Sequence, residues 1–346
     1  MAKDRVTIRD VAAQAGVSHQ TVSRVINDSE QVLPGTRERV MTAIAELGYR
    51  PNALARSMAR GTSHTIACLS PNLTDFTFAS LINGAETEAR KHNYFWLSSS
   101  VPDIVSFVEL VDDLVTSRRV DGLLIINPYA DERHTKLPDD FPIAFVGARP
   151  REGEINSVAL EDDIVGYEAT RYLLGLGHRD IATITGPMRE DAAQDRCQGY
   201  ERALLEAGIE PAAQQVIEGD WSAQSGHDAL MQLATTRLSS PKPAGTLPSA
   251  IFAQNDLMAA GVLRAARDLG LDLPGDLSVI GVDDVPLADF LDPPLTTFHQ
   301  DFQQIGREAA RLLIQSIDQP DAASRQLRLP AKLVVRRSTA VFNQDK

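Results

Sequence analysis

Apolar residues recur at helical spacing near the amino terminus, in the segment TIRDVAAQAGVSHQTVSRVIN. Val11 and Ala15 fall on one predicted helical face, and Gly16 interrupts the run. Thr7, followed three residues later by Asp10, has the spacing of a capping box. The pattern therefore predicts a short first helix that begins after Thr7 and ends at Gly16.

A second short helix follows at once, and a third comes after a polar gap. Ser18 occupies the position of a second N-cap, and Val22 and Val25 supply the next apolar face. The pattern from Thr36 to Leu47 predicts the third helix, which ends at Gly48. Two short helices joined by a glycine-containing turn, with alanines where they approach, are typical of a helix-turn-helix.

The second predicted helix carries a polar face opposite its apolar one. His19, Gln20, Ser23, Arg24 and Asn27 are all able to hydrogen-bond base edges or phosphates. This face contains no acidic residue, as expected of a surface that contacts DNA.

Beyond Thr65 the pattern changes to short apolar runs, such as TIACLS, GLLIIN, IATITG, AIFAQ and LSVIGV, that alternate with amphipathic helical stretches. This alternation predicts a parallel α/β fold. It restarts near LGHRDIATITGP, so we expect two similar subdomains with a cleft between them. Ligands of such sheets bind beyond the carboxyl ends of the strands, where Asn127, Asn255 and Asp283 are predicted to lie.

The charge is distributed unevenly between the two parts of the chain. The 346 residues have a net charge of −13, but residues 1–60 carry +3 and the remainder −16. An acidic body repels phosphates, so any nucleic-acid contact is expected within the first 60 residues. The alternative is that this modest basic excess is only a solvated surface.

Composition and motifs exclude several classes of protein. The chain has no apolar run long enough to span a membrane, and its charged amino terminus lacks the apolar core of a signal peptide, so we expect a cytoplasmic protein without membrane partners. Cys68 and Cys197 lack metal-ligand spacing and are expected to be inert buried thiols. Nucleotide-binding, nucleophile-elbow and zinc-protease motifs are absent, and His178 is expected to be a cap or a buried hydrogen-bonded side chain. We therefore predict no catalytic residue, metal or cofactor. A stand-alone solute receptor is disfavoured as well, because it would lack the first 60 residues and carry a signal peptide.

The segment from Thr7 to Asn27 resembles the amino-terminal signature of the lactose repressor (LacI) family of bacterial transcription regulators. The similarity continues through GYRPNALARSMARG, DGLLIINP, RCQGY, EGDWSAQSG, FAQNDLMAAG and LTTFHQDFQQIG, so it covers essentially the whole chain. The resemblance implies an α/β fold class with an N-terminal helix-turn-helix DNA-binding domain. A periplasmic-binding-protein-like domain of two doubly wound parallel-sheet subdomains, with three crossovers, is expected to follow.

The expected boundaries follow from the patterns and the resemblance together. They are a DNA-binding headpiece at 1–49, a hinge at 50–61, an effector-binding and dimerisation domain at 62–346, a first subdomain at about 62–161 and 292–322, and a second at about 162–291 and 323–340.

The hinge segment can form a helix of only about two turns, from Pro51 and Asn52 to Gly61, and helices this short are marginal in water. In the family, this helix pairs with its dimer mate in the minor groove and wedges an apolar side chain into a base step. Met58 stands where leucine is usual. The alternative is a flexible interdomain linker.

The resemblance assigns two sets of functional residues. The expected DNA contacts are Thr7, Ser18, His19, Gln20, Thr21, Ser23, Arg24, Asn27, Ala55 and Met58. The expected effector contacts are Phe78, Asn127, Leu160, Arg196, Trp221, Asn255, Asp283 and Phe302.

Several of these residues have a purely structural alternative. Asn255 and Asp283 are also suited to cap the helices that follow them, and Trp221 to pack in the core instead of forming a flat platform for a sugar ring. Arg196 offers a planar donor fork, with a structural salt bridge as its alternative. Gly147 departs from the lactose repressor, which has an aspartate here that helps to hold sugar hydroxyls.

Taken together, the sequence predicts a homodimeric repressor of carbohydrate-utilisation genes. It is expected to leave a pseudo-palindromic operator when a small sugar-like effector binds in the cleft, and the opposite sign stays open because some family members use a corepressor. The leucine-heptad tail of the tetrameric lactose repressor is absent after LVVRRSTAVFNQDK.

Overall fold

The computed structural model describes residues 6–26, 31–50, 62–129, 133–138, 140–147, 149, 155–211, 215–238 and 247–343. The chain divides into two compact units, Met1–His64 and Thr65–Lys346. The division falls at the start of the predicted α/β pattern.

The amino-terminal unit contains the three predicted helices, α1 (Ile8–Ala15), α2 (His19–Ile26) and α3 (Pro34–Leu47), within its described residues. α3 begins two residues before the predicted start at Thr36, because proline is favoured in the first turn of a helix. It ends at Leu47 as predicted, and Gly48 follows with a left-handed φ of 59°.

Local capping explains where α1 and α2 begin. The backbone N–H of Thr7 donates to the Asp10 carboxylate at 2.7 Å, which confirms the capping box. The Ser18 hydroxyl accepts from the N–H of Thr21 at 3.1 Å, so Ser18 is also confirmed as a cap. The apolar faces of the three helices meet in a small buried core of Val11, Ala12, Ala15, Val22, Val25, Val40 and Ala43.

The larger unit alternates strands and helices. Its strands are β1 (Thr65–Ser70), β2 (Phe95–Ser100), β3 (Gly122–Ile126), β4 (Ile143–Val146), β5 (Asn156–Leu160), β6 (Ile181–Thr185), β7 (Val216–Glu218), β8 (Ala250–Ala253), β9 (Ser278–Ile280), β10 (Thr297–His299), β11 (Gln326–Leu329) and β12 (Lys332–Val334). Its helices are α4 (Phe76–Lys91), α5 (Ile104–Thr116), α6 (Asp162–Gly175), α7 (Asp191–Glu206), α8 (Ala223–Leu238), α9 (Asp256–Asp268) and α10 (Phe302–Asp318).

Ten of the twelve described strands form two parallel sheets, which confirms the predicted doubly wound α/β class, and β10 and β12 form a separate antiparallel pair. The first has the order β11-β5-β4-β3-β1-β2, and the second has the order β7-β6-β8-β9. In the first, α4 and α10 pack on one face and α5 on the other. In the second, α6 and α7 cover one face and α8 and α9 the other. Each half therefore has its own buried core.

The chain passes between the halves at residues 160–162, 300–302 and 329–335, as the three predicted crossovers require. Strand pairing assigns two segments differently from the sequence boundaries. β11 pairs with β5 in the first sheet, although the sequence places 323–340 in the second subdomain. Bridges join Thr296 and His299 to the second sheet, although the sequence places 292–322 in the first. Hydropathy does not report which distant segments pair, so it missed both.

Glycines bring the helices of each pair into close backbone contact. A Cβ on Gly166 of α6 would overlap the carbonyl group of Arg196 on α7, and one on Gly199 would overlap the carbonyl oxygen of Asp163. The α4–α10 and α8–α9 pairs show the same reciprocal arrangement. The helix pair that carries Arg196 is thus fixed by backbone approach as well as by side-chain packing.

Three residues that the sequence interprets as structural, His178, Cys68 and Cys197, are buried. His178 hydrogen-bonds to Ser249 at 2.9 Å and to the carbonyl oxygen of Ala340 at 3.1 Å. Cys68 and Cys197 are buried free thiols, and burial raises the pKa of Cys197 to about 11.

Gly166→Ala is expected to destabilise the protein by about 1–3 kcal/mol, because the added methyl group must push α7 away from α6. Gly175→Ala on the same helix is the matched control, since a Cβ there meets no atom within 4 Å. It should be neutral or slightly stabilising. Chemical denaturation of both variants checks this, and equal stability of the two would contradict the close contact.

Candidate functional site

The predicted DNA contacts of α2 lie on its solvent-facing side. Ser18, His19, Gln20 and Arg24 are exposed, whereas Val22 and Val25 of the same helix are buried. Thr7 is exposed, and Thr21 and Ser23 are partly buried. Asn27, Ala55 and Met58 lie outside the described residues. The polar face of α2 is therefore available to a partner, while its apolar face holds the small core.

The second predicted site is centred on Arg196, which is only 5% exposed. Its Nε donates to the carboxylate of Asp162 at 2.7 Å, and its Nη1 donates to the carbonyl oxygen of Gln254. The structural alternative for Arg196, a salt bridge, is therefore realised. The guanidinium carbon also lies 5.7 Å from the centre of the Trp221 ring. Arg196 thus connects α6, α7, the end of β8 and the loop before α8.

Trp221 is partly buried beside this arginine, and its backbone is in the left-handed region with φ of 70°. Its ring lies so close to Gly186 that a Cβ there would overlap it. Its Nε1 donates to Glu190 at 2.8 Å, and its carbonyl oxygen accepts from the Asn255 amide at 3.0 Å. Left-handed backbone at a non-glycine residue persists only where the surroundings hold it, and it clusters at binding sites. Both features fix the orientation of the ring.

Asn255 and Asp283 behave differently, although the sequence gives them the same alternative. Asn255 does cap α9, because its Oδ1 accepts from the N–H of Met258 at 2.8 Å. Asp283 does not cap the next helical segment, the short 3₁₀ turn Ala288–Phe290, which Leu287 precedes. Its backbone is left-handed, with φ of 117°. Burial raises the pKa of Asp283 well above its usual range, and the nearby charge of Arg196 opposes this rise.

The remaining predicted residues lie in the first half or at its crossovers. Asn127 follows β3 and is 1% exposed, and its Oδ1 accepts from the N–H of Tyr129 at 3.2 Å. Phe78 and Leu160 are partly buried against the first core, and Phe302 is buried in it at the start of α10. Phe302, an expected effector contact, is thus largely part of this core.

The two halves contact one another beside these residues. The N–H of Asp191 donates to the carbonyl oxygen of Pro128 at 2.9 Å. Arg149 forms an ion pair with Asp195 at 2.5 Å. Burial raises the pKa of Asp195, and the hydrogen bond from Arg149 opposes this.

Two glutamines belong to this region but are absent from the sequence prediction. Gln254 follows β8 and is fully buried, and Gln300 follows β10 and is 2% exposed. Neither side-chain amide has a hydrogen-bond partner among the described residues. The available signal was the position of Gln254 directly before Asn255 at the end of an apolar run.

The described residues contain no helix long and apolar enough to cross a bilayer. They also contain no cluster of three or more histidine, cysteine or acidic side chains arranged to hold a metal ion.

Comparisons with known proteins agree with this geometry. Residues 7–52 match the model of bacterial regulatory proteins of the lacI family, and residues 170–339 match a periplasmic-binding-protein-like domain. The chain is 33% identical over 340 residues to the HTH-type transcriptional repressor PurR of Vibrio vulnificus (strain CMCP6), covering 97% of this chain and 99% of the relative. It belongs to the LacI family.

Solved structures support the same assignment. A lac repressor dimer bound to operator and the anti-inducer ONPF superposes with a TM-score of 0.87 at 31% identity, over 97% of this chain and 100% of that one. A complex of the transcriptional regulator CelR with cellobiose has a TM-score of 0.72 at 33% identity, over 96% of this chain and 100% of that one. As a LacI-family protein, the chain is a transcriptional repressor with an effector-binding domain, not an enzyme.

Asp256, the first residue of α9, lies in the second half near Asp283. It accepts from the Thr297 hydroxyl at 2.5 Å and from the N–H of Val285 at 2.9 Å. Burial raises its pKa to about 7, and the Thr297 hydrogen bond opposes the rise. Between about pH 4 and pH 7, the folded protein therefore holds a proton that the unfolded chain has lost.

In the wild type, the raised pKa of Asp256 makes the free energy of unfolding fall as pH rises from about 4 to 7. Asp256→Asn is expected to abolish this fall. Because the folded pKa is raised, the contribution of Asp256 is fully present below about pH 4 and disappears as pH rises through 7. Asp220 supplies the contrast, because hydrogen bonds from Ser222 lower its pKa, so its contribution is lost as pH falls. Denaturant unfolding of the wild type, Asp256→Asn and Asp220→Asn between about pH 2 and pH 8 tests this. Asp256→Asn should differ from the wild type in its pH dependence between about pH 4 and pH 7, and Asp220→Asn only below about pH 4. The same pH window for both variants would contradict the assignment.

Proposed function

We propose that this protein is a homodimeric repressor of carbohydrate-utilisation genes that leaves a pseudo-palindromic operator when a neutral, sugar-like effector binds between the two halves of its larger unit. Its operator DNA, and therefore the repressor, is cytoplasmic. The observation that carries the proposal is that one chain joins an exposed polar helix-turn-helix surface to a cleft of buried polar side chains.

The exposed side of α2 suits the reading of DNA in the major groove. Gln20 presents an amide that matches the edge of adenine, and Arg24 presents a fork that matches guanine. The first 60 residues carry a net positive charge, whereas the rest of the chain is acidic. Phosphate attraction therefore favours approach through the headpiece and disfavours contact through the body.

The cleft chemistry favours a neutral ligand that carries hydroxyl groups. Asp283 is a buried carboxyl group that accepts hydrogen bonds from hydroxyls when it is charged, and Trp221 offers an apolar ring for the C–H face of a sugar. The Arg196 charge is already matched by Asp162. An anionic ligand would thus find the Arg196 charge already paired and would lie beside the buried carboxyl group of Asp283. The structural relative CelR is complexed with cellobiose, which agrees with this class.

A second copy of the chain is the proposed partner of the exposed apolar surface around β2. In the order of the described strands, β2 is the last strand of the first sheet, and Phe95 on it is 70% exposed. Leu97 on β2 and Val105 on α5 are exposed as well. An exposed apolar edge strand favours association, and a symmetric dimer covers it. The lac repressor that superposes on this chain is a dimer on its operator.

Effector binding is proposed to act through the contacts between the halves. A ligand that replaces or tightens contacts such as Asp191 to Pro128 and Arg149 to Asp195 changes the relative population of two arrangements of the halves. Movement about the three crossovers then alters the spacing at which a dimer presents its two headpieces. The effector lowers operator affinity only to the extent that it binds one arrangement more tightly than the other.

Gln20→Ala and Arg24→Ala are expected to weaken discrimination at individual base pairs by about 1–3 kcal/mol, because each removes one bidentate contact. Arg39→Ala is the matched control, since Arg39 is exposed on α3 and its loss removes charge without touching the face of α2. Base preference is measured for the three variants by selection from a random duplex library, followed by affinity measurements on single-base variants of the selected site. Wild-type base preference in both α2 variants would refute the assigned reading surface.

Trp221→Ala is expected to weaken effector binding by about 1–3 kcal/mol, a factor of roughly 5–150, because the apolar platform is lost. Operator binding without effector should stay nearly unchanged. Trp221→Phe retains an aromatic ring but loses the hydrogen bond to Glu190, so its effector affinity should lie between those of the wild type and Trp221→Ala. Isothermal titration with sugars that stabilise the wild-type protein measures these affinities. Unchanged affinity in Trp221→Ala would mean that the ligand binds elsewhere.

A further inference from the structure

The second half contains two buried glutamine side chains, those of Gln254 and Gln300, whose amides lack hydrogen-bond partners among the described residues. Gln254 is 0% exposed, yet neither its side-chain oxygen nor its nitrogen has a partner among the described residues. A buried amide without a hydrogen bond carries a penalty that a water-exposed amide does not. Such a group in a folded protein calls for an explanation.

The backbone of Gln254 is fixed, so its side chain has little freedom to find another partner. Its N–H donates to the carbonyl oxygen of Ile184 at 2.9 Å, and its own carbonyl oxygen accepts from Arg196. Alternation along β8 puts its side chain on the face of Ala250 and Phe252. This is the face that α6 and α7 cover and from which Asp162 and Arg196 approach.

Gln254 is also one of three polar residues at neighbouring strand ends. β8 pairs with β9, and a bridge between Asp283 and His299 extends the sheet to β10. Gln254, Asp283 and Gln300 follow these three strands in order. The N–H of Gln300 lies 3.5 Å from the carbonyl oxygen of Asp283, and its amide also has no partner among the described residues. Two unmatched amides thus flank a buried carboxyl group at the carboxyl edge of the sheet, where α/β sheets bind ligands.

We propose that Gln254 is a specificity-determining residue of the effector cleft, whose amide donates to and accepts from two adjacent polar groups of a neutral ligand. This inference rests on the proposed function. A carboxamide presents one acceptor and one donor side by side, which matches vicinal hydroxyls of a sugar ring or the edge of a nucleobase. Both are neutral, which suits a site where the Arg196 charge is already paired with Asp162.

The unpaired Gln254 amide lowers the stability of the free protein, and it forms hydrogen bonds when the ligand is bound. Gln254→Met keeps the side-chain length and removes the hydrogen-bonding groups. It should therefore raise the melting temperature of the ligand-free protein, by about 2 °C, because an unpaired buried amide is replaced by an apolar group. The same change should weaken ligand binding by a factor of about 5–150. If Gln254 had only a structural role, Gln254→Met would lower the stability of the protein, and ligand binding would weaken only as a consequence.

The test uses the full chain with ribose, cellobiose, adenosine and ribose 5-phosphate, first by thermal shift and then by isothermal titration. Gln315→Met on the exposed surface of α10 is the matched control and should change neither melting temperature nor affinity. Stabilisation by ribose or cellobiose identifies sugar hydroxyls as the recognised pair, and stabilisation by adenosine alone identifies a base edge. In either case, weaker binding by the more stable Gln254→Met variant supports the proposal.

Other results would overturn it. These are stabilisation of the wild type by ribose 5-phosphate alone or by none of the four compounds, unchanged affinity in Gln254→Met, and a lower melting temperature or misfolding of that variant. Operator binding without ligand should be the same for the wild type and the Gln315→Met control. If the wild type bound no operator, the proposed function would fail, whereas the ligand affinities would still decide the role of Gln254.

Discussion

The buried ion pair between Arg196 and Asp162 is the interaction around which the second half is organised. Both side chains are almost completely removed from solvent, and their atoms approach to 2.7 Å. Such a pair adds little net stability, because desolvation offsets much of the attraction, but removal of one partner leaves an uncompensated buried charge. Its value here is geometric. It ties the start of α6 to α7, holds the end of β8 through the carbonyl group of Gln254, and sets the guanidinium near Trp221.

The glycine contacts explain why this arrangement is rigid. Gly166 and Gly199 let α6 and α7 meet backbone to backbone. Gly166 lies about one turn after Asp162 on α6, and Gly199 about one turn after Arg196 on α7. A rigid half of this kind moves as a body, so a ligand at its edge acts on the orientation of the halves instead of being absorbed by local adjustment. The contacts from Asp191 to Pro128 and from Arg149 to Asp195 join the two halves. In the proposed mechanism, a bound effector replaces or tightens contacts of this kind.

Sequence alone predicted the features that depend on neighbours along the chain. The caps at Thr7 and Ser18, the end of α3 at Gly48 and the alternation of strands and helices are all local signals. It left the roles of Asn255 and Arg196 open. Each side chain is suited to a structural contact, a cap for Asn255 and a salt bridge for Arg196, and each is also suited to bind an effector. It missed the pairing of β11 with β5 and the position of Gln254 because both depend on segments distant in sequence. The left-handed backbone of Trp221 is likewise imposed by tertiary contacts.

In the proposed mechanism, effector and operator compete through one conformational equilibrium, so each must lower the affinity for the other. An effector is titrated calorimetrically into the free dimer and into the dimer saturated with operator, and operator affinity is measured with and without effector. We expect operator to lower effector affinity by the same factor, of order 5–150, by which effector lowers operator affinity. Equal binding of an effector to the free and the operator-bound protein would exclude this coupling.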